Sequence, residues 1–287
     1  MIVSGPASQL LASRLARYLG DEIAFCEYSS FPDGEAYLRV EGRSSDGVVI
    51  VQSTPTDRDI IYLLQLLDIF QDVKVNLFIP YFGYARQDKQ FHEGEPLSAR
   101  VIAKAIDASL HEASRIYTVN VHAKSVANHF DHDAKDLDAT PILAEKLKPI
   151  ELLDPVVIAP DQGALGIAQV AASRLGVEYD YLQKTRFSGT QVSISPKEID
   201  VAGRDVVIMD DMISTGGTMA EAISVLKAQG ALRIYLAAVH PVLTGNALIK
   251  LYRAGVETII TTDALERAVS KVSVAPLLAD ALYQHWG

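Results

Sequence analysis

The chain has 287 residues, 49% of them hydrophobic and 22% charged, with a formal net charge of −10 and a single cysteine. That composition belongs to a globular protein of one large or two medium domains, not to a disordered or fibrous one. The acidic balance excludes the broad positive field that non-specific nucleic-acid or anionic-membrane binding needs, and lone Cys26 excludes an intramolecular disulfide framework and fits a reducing cytoplasm.

The N-terminus carries Arg14 and Arg17 among few acids. A strand, Met1–Ser4, followed by an amphipathic helix is a better reading of it than a transit peptide. Phe31-Pro32-Asp33-Gly34-Glu35 has a Pro-Asp-Gly core and reads as a turn, by itself a surface hairpin. Val48–Gln52 and Val75–Ile79 are strands, with a helix over Ile60–Phe70 between them. That helical stretch is broken by Gln65 and Asp68, and no run of roughly 18 apolar residues offers a membrane span. Tyr81–Asp88 follows a buried strand and mixes aromatics with Arg86 and Gln87. Aromatic faces suit a purine, and a guanidinium fork suits a phosphate, although a core-edge aromatic cluster reads equally well.

A helix over Ala99–Ala108 leads to a strand over Ile116–Val121, with His122 at its C-terminal lip, where open α/β sheets place ligands. The polar, Pro-containing stretch Lys148–Pro155 is the candidate linker. A helix over Ile142–Leu147 precedes it, and a strand, Val156–Ala159, follows it and ends in Pro160-Asp161-Gln162-Gly163. An acid there could hold a metal bound to a pyrophosphate. A helix over Ala164–Leu175 precedes Gln183-Lys184-Thr185-Arg186, two cations beside a polar loop running to Gln191.

The most informative segment is Val206–Thr218. A buried strand, Val206–Met209, meets two carboxylates, Asp210 and Asp211. Ser214-Thr215-Gly216-Gly217-Thr218 then leads into a helix over Met219–Gln229. Glycines let successive N–H groups converge on an anion, and the helix N-terminus adds to that field. The hydroxyls of Ser214, Thr215 and Thr218 can donate to phosphate oxygens, and the acids can accept from vicinal ribose hydroxyls. Strands over Ile234–Val239 and Thr258–Thr261, with helices over Ala247–Arg253 and Leu277–His285, complete the pattern. Val48–Thr54 rhymes with Val206–Met212, and Val75–Pro80 with Ile234–Val239. The pattern is a duplicated α/β unit of mainly parallel sheet flanked by helices. The first copy has Gln52 and Ser53 where the second has its acids, so it has lost sugar binding.

Asp210–Thr218 resembles the phosphoribosyl-pyrophosphate (PRPP) signature shared by type I phosphoribosyltransferases and PRPP synthetases (ribose-phosphate diphosphokinases). The order of the turn at Phe31, the Tyr81–Asp88 segment, the histidine strand, Pro160–Gly163, Lys184/Arg186 and the Asp210 loop is that of the synthetases. The likeness runs to Ser273–Leu278, and the compact length is similar to the archaeal branch. It implies two phosphoribosyltransferase-like domains, 1–148 and 149–287, with the last helix, 276–286, a candidate to pack back on the first. It implies transfer of the pyrophosphoryl group of ATP to the anomeric hydroxyl of ribose 5-phosphate, giving PRPP and AMP. The roles carried over are ATP contacts at Phe31, Asp33, Gly34, Glu35, Arg86 and Gln87, and divalent metal, Mg²⁺, at His122 and Asp161. Lys184 and Arg186 take the catalytic positions. Arg186, Asp210, Asp211 and Ser214–Thr218 form the ribose 5-phosphate site. It also implies a cytoplasmic homo-oligomer, a dimer or multiple of dimers, in which the Phe31–Glu35 turn reaches a neighbour's active site. Ala164, where the family often has a glycine, and Asn120, near where it often has an acid, depart from the pattern. A type I phosphoribosyltransferase and a non-catalytic regulatory relative are the alternatives.

Overall fold

Two apolar cores lie on mainly parallel sheets, one around Ile50, Leu66 and Leu77, the other around Ile208, Ile223 and Leu236. The computed structural model describes the chain except residues 43, 45, 46, 187–191, 197, 198 and 285–287, and the side chains of 184–186 and 192–195. In chain order, the first part comprises β1 (Ile2–Ser4), α1 (Gln9–Leu19), β2 (Cys26–Ser30), β3 (Ala36–Val40), β4 (Val48–Val51), α2 (Asp57–Ile69), β5 (Val75–Ile79), α3 (Ser98–Asp107), β6 (Arg115–Val119) and β7 (Asp133–Leu137). There follow α4 (Thr140–Glu145), β8 (Val156–Ala159), α5 (Leu165–Leu175), β9 (Glu178–Arg186), β10 (Val192–Pro196), β11 (Val206–Ile213), α6 (Gly217–Ala228), β12 (Ile234–Pro241), α7 (Ala247–Ala254), β13 (Thr258–Thr262), β14 (Ser270–Val272) and α8 (Ala275–Tyr283).

The five-stranded sheet runs β1-β4-β5-β6-β7 with every pair parallel, and the seven-stranded sheet runs β10-β9-β8-β11-β12-β13-β14, antiparallel only at β9/β10. The central strands are apolar and buried along their length because helices cover both faces. The duplication holds element by element: β1, β4, β5, β6 and β7 match β8, β11, β12, β13 and β14 in order and direction. The chain entering β2 also lies beside β1, through a parallel bridge from Ile2 to Ile23, as β9 lies beside β8.

The compact units are Met1–Asp138 with Ala264–Glu266 and Ser273–Gly287, and Ala139–Asp263 with Arg267–Val272. The division therefore falls before α4 and not at Lys148. The reason is packing: α4 lies on α5, just as α8 lies on α1. Each repeat ends in a strand, β7 or β14, whose following helix completes the other unit.

Several strands differ from the sequence reading. β11 continues through both acids to Ile213, because Asp210, Met212 and Ile213 keep parallel register with Ala238, His240 and Pro241 of β12. β6 stops at Val119, where Asn120 turns to φ 39°. α2 starts at Asp57, since Thr56 and Asp59 form a reciprocal capping box. β2 and β7 are largely polar, and β3 offers only the short apolar stretch Ala36–Leu38, each half-buried in alternation. His285, expected in the last helix, lies outside the described residues, and α8 ends at Tyr283.

Candidate active site

In the second unit, β9 lies on one side of β8 and β11 on the other, so the order of connection reverses between β8 and β11. Crevices at the carboxyl ends of strands flanking such a reversal are the ligand sites of open α/β sheets. Here those ends carry Asp161, two residues past β8, and Asp210 and Asp211, within β11. Oδ1 of Asp161 accepts from the N–H groups of Gly163 at 2.8 Å and Ala164 at 3.3 Å, capping the turn that opens α5. Asp210 Oδ1 accepts from the Asp211 N–H at 2.8 Å. Burial, then the adjacent Asp211 charge, with a lesser push from Asp161, raise the Asp210 carboxyl to about 8. A carboxyl held so far above its ordinary range marks a position short of positive charge or of hydrogen-bond donors.

Beyond Ile213 the chain turns through Ser214, Thr215 and Gly216 into α6. Gly216 sits at φ 74°, and a Cβ there would lie 3.1 Å from the Ala247 carbonyl oxygen, so both conformation and space select glycine. Gly216 is buried, while Thr215, Gly217 and Thr218 face solvent at the α6 N-terminus. Lys184 and Arg186 end β9, in antiparallel register with Ile194 and Val192; their side chains, like the loop to Gln191, lie outside the described residues.

The first unit has the same crevice between β1 and β4, and its own side chains fill it. Gln52, fully buried, takes Asp210's place. Its Oε1 accepts from the Ala7 N–H at 3.2 Å, and its Nε2 donates to the Asp59 carbonyl oxygen at 3.3 Å. Ser53 donates to the Ala264 carbonyl at 2.6 Å, and Glu266 Oε1 accepts from the Leu11 N–H at 2.8 Å in the first turn of α1. An amide and a carboxylate of the chain itself thus stand where a ligand anion would sit.

The remaining candidates of this unit lie around its edges. Phe31–Glu35 closes the β2–β3 hairpin, with the Phe31 N–H donating to the Glu35 carbonyl at 2.9 Å and Gly34 at φ 96°. Phe31 is 50% exposed, edge-on to Tyr37, and Asp33 Oδ1 accepts from the Glu35 N–H at 3.2 Å. Tyr62 donates to the Ser29 carbonyl and Gln65 to the Ala36 carbonyl, fixing the hairpin base on α2. In the Tyr81–Asp88 segment, Phe82 is 3% exposed and packs edge-on with Phe130, so this aromatic serves the core and not a purine. Tyr84, at φ 65°, donates to Asp57 at 2.6 Å, Arg86 is exposed, and Gln87 accepts from Ser98 at the start of α3.

His122 is exposed just past β6. Asp136, on β7, escaped the sequence reading although it holds this corner: its Oδ1 accepts from Thr118 at 2.7 Å and from the Val121 N–H at 3.0 Å. Burial raises its carboxyl above the ordinary range despite those bonds. The sequence signal was faint, one acid of two in a short, largely polar edge strand. Among the described residues, no three acid, histidine or cysteine side chains converge as a ready metal cage. Asp161 is exposed, and one or two carboxylates are what magnesium takes alongside water and substrate phosphates.

Residues 1–109 match the N-terminal domain of ribose phosphate pyrophosphokinase, and residues 131–270 match the phosphoribosyl transferase domain. The ribose-phosphate pyrophosphokinase of Methanosarcina mazei is 53% identical over 283 residues, spanning 98% of this chain and 94% of the relative. The chain belongs to the ribose-phosphate pyrophosphokinase family. The Halobacterium salinarum member is 45% identical, over 98% of this chain and all of its own length. The crystal structure of phosphoribosylpyrophosphate synthetase from Mycobacterium smegmatis superimposes with a TM-score of 0.86 at 28% identity, covering 100% of this chain and 98% of that one. The family's two phosphoribosyltransferase-like domains are the two repeats described above. No helix among the described residues is long and apolar enough to cross a membrane.

Proposed function

We propose that this protein is a ribose-phosphate pyrophosphokinase, transferring the pyrophosphoryl group of ATP to the anomeric hydroxyl of ribose 5-phosphate. The observation that carries the reading is the full-length match to archaeal members, through both repeats. The hydroxyl oxygen attacks the β-phosphorus, the bond from that phosphorus to the bridging oxygen of the α-phosphate breaks, and AMP leaves. Little covalent chemistry falls to the protein, so positioning and charge dominate the barrier.

The 5-phosphate is assigned to the Ser214–Thr218 nest, and the ribose hydroxyls to Asp210 and Asp211. Support comes from the reversal of connection beside these acids and from the α6 N-terminus beyond them. Phe31, Asp33, Gly34, Glu35, Arg86 and Gln87 are assigned to ATP, the exposed Phe31 ring offering a stacking face for adenine. Lys184 and Arg186 are assigned to charge building on the β-phosphoryl group and on the departing AMP oxygen. Asp161 and His122 would hold Mg²⁺, whose charge offsets that of the ATP phosphates. No side chain is assigned as general base.

The site is also proposed to be shared within a cytoplasmic homo-oligomer, in which the Phe31–Glu35 turn serves a neighbouring chain. An exposed turn held rigidly at its base on α2 supports that reading. A type I phosphoribosyltransferase would have no use for the N-terminal pyrophosphokinase domain. A non-catalytic relative would have no need of Arg86, His122, Lys184 and Arg186 together. Release of AMP from ATP, dependent on ribose 5-phosphate, is the test. AMP without that dependence, or PRPP consumption with a free base, would replace this reading.

A further inference from the structure

The second unit has a strap, Val242–Lys250, whose bonds to the phosphate loop all fall on one side. The Leu243 N–H donates to the Ile213 carbonyl at 2.9 Å, and the Thr244 N–H to the Ser214 carbonyl at 3.1 Å. One turn into α7, the Lys250 ammonium donates to the Thr215 carbonyl at 3.4 Å. In a trans peptide the carbonyl of one residue and the N–H of the next point in opposite directions. Holding the carbonyls of Ile213, Ser214 and Thr215 against the strap therefore turns the N–H groups of Ser214, Thr215 and Gly216 away from it, toward the open side of the loop. Among the described residues, none of those N–H groups has a protein acceptor.

The strap is shaped for this. Leu243 adopts φ 53°, a left-handed conformation that costs a leucine free energy and persists only where surrounding bonds demand it. Ala247, at the start of α7, closes against Gly216, leaving space for no side chain. Lys250 is exposed and, among the described residues, that carbonyl is its one hydrogen-bond partner, so its charge lies behind the nest and not in a competing ion pair.

We infer that Lys250 is a positioning and affinity residue for the sugar phosphate: it clamps the Thr215–Gly216 peptide with its N–H toward the 5-phosphate and adds a cation behind the nest. The inference rests on the proposed assignment of this loop to ribose 5-phosphate. Because the contact serves ground state and transition state alike, its loss raises KM and leaves kcat alone.

The experiment compares wild type, Lys250→Met and Lys250→Arg by steady-state kinetics. It also titrates ribose 5-phosphate calorimetrically in the presence of α,β-methylene-ATP, whose bridging bond cannot be cleaved. For an exposed charge, Lys250→Met should weaken ribose 5-phosphate about three- to ten-fold in both KM and Kd. The kcat, the KM for ATP and the Tm should stay at wild-type values, and Lys250→Arg should recover most of the loss. Wild-type affinity in Lys250→Met, or a fall in kcat with ribose 5-phosphate affinity intact, would overturn the inference while leaving the loop assignment standing. If wild type itself bound no ribose 5-phosphate, the loop assignment would fall, and the inference with it.

Discussion

Gly5 and Gln52 occupy the closed crevice of the first repeat so tightly that a Cβ on Gly5 would lie 1.8 Å from Oε1 of Gln52. The glutamine is fully buried and bonded at both ends of its amide, so it has no free space into which to swing. Gly5→Ala should therefore break those bonds and cost about 1–3 kcal/mol, the scale of a buried polar group left unpaired. Gln52→Ala in the same chain should return part of that loss, a coupling visible in a double-mutant cycle of urea unfolding. Additive losses would show that Gln52 does not fill the crevice.

The exchange of terminal helices makes a residue at the end of the chain a core residue of the first repeat. Leu278, fully buried in α8, belongs to the unit built around β1 and β4. Leu278→Ala should destabilise that unit by about 2–5 kcal/mol. Hydrogen exchange followed by mass spectrometry should show loss of protection in α1 and β1 before α5 and β8. Equal loss in both repeats would contradict the assignment of α8.

Asp210 yields a pH prediction with a definite sign. Its folded-state pKa, about 8, lies above its ordinary value of 3.8, with burial and the Asp211 charge as the causes. Between those limits the folded protein retains a proton that the unfolded chain releases, so stability falls as pH rises through this window and levels off above it. Asp210→Asn carries no such penalty. Its Tm should match or trail the wild type near pH 5 and exceed it increasingly toward pH 8, as differential scanning calorimetry would record. Above pH 8, where the wild-type carboxyl is ionised, the variant's affinity for ribose 5-phosphate should drop by about 1.5–3 kcal/mol, the scale of a charged hydrogen bond. A Tm difference independent of pH would remove the basis for the shifted carboxyl.

Lys184→Ala should leave the Tm and ATP affinity near wild type and lower turnover by about 10²–10³, as for loss of one preorganised donor in a transition state. Pre-steady-state AMP formation measures this directly. Turnover near wild type would end the role assigned to Lys184.

A site shared between chains can be tested by complementation. An Asp33→Ala, Glu35→Ala double variant and a Lys184→Ala variant should each be nearly inactive. Mixed under conditions of demonstrated subunit exchange, they should regain activity, because in a reciprocal pair one of the two sites then carries neither lesion. No recovery would place both lesions in one chain's site.

Much of the second repeat's local architecture could be read from residue order alone. Val206–Thr218 announces its strand, acids, glycines and helix within a few positions, because a phosphate nest is made of consecutive backbone groups, and consecutive groups are what a sequence records. The alternation of apolar strands with amphipathic helices likewise dictated a parallel α/β sheet, and the rhyme between Val48–Thr54 and Val206–Met212 exposed the duplication. Tertiary structure decided what depends on residues far apart in the chain. The extension of β11 through Asp210 and Asp211 follows from its register with β12. Phe82 belongs to the core because Phe130 packs against it. The closure of the first crevice needs Glu266 to reach Leu11, across 255 positions. The carbonyls of Ile213, Ser214 and Thr215 are held from behind by Leu243, Thr244 and Lys250, 30 or more positions further along the chain. Local patterns specify elements and turns; side-chain partners are chosen by packing, and packing is visible only once the chain has folded.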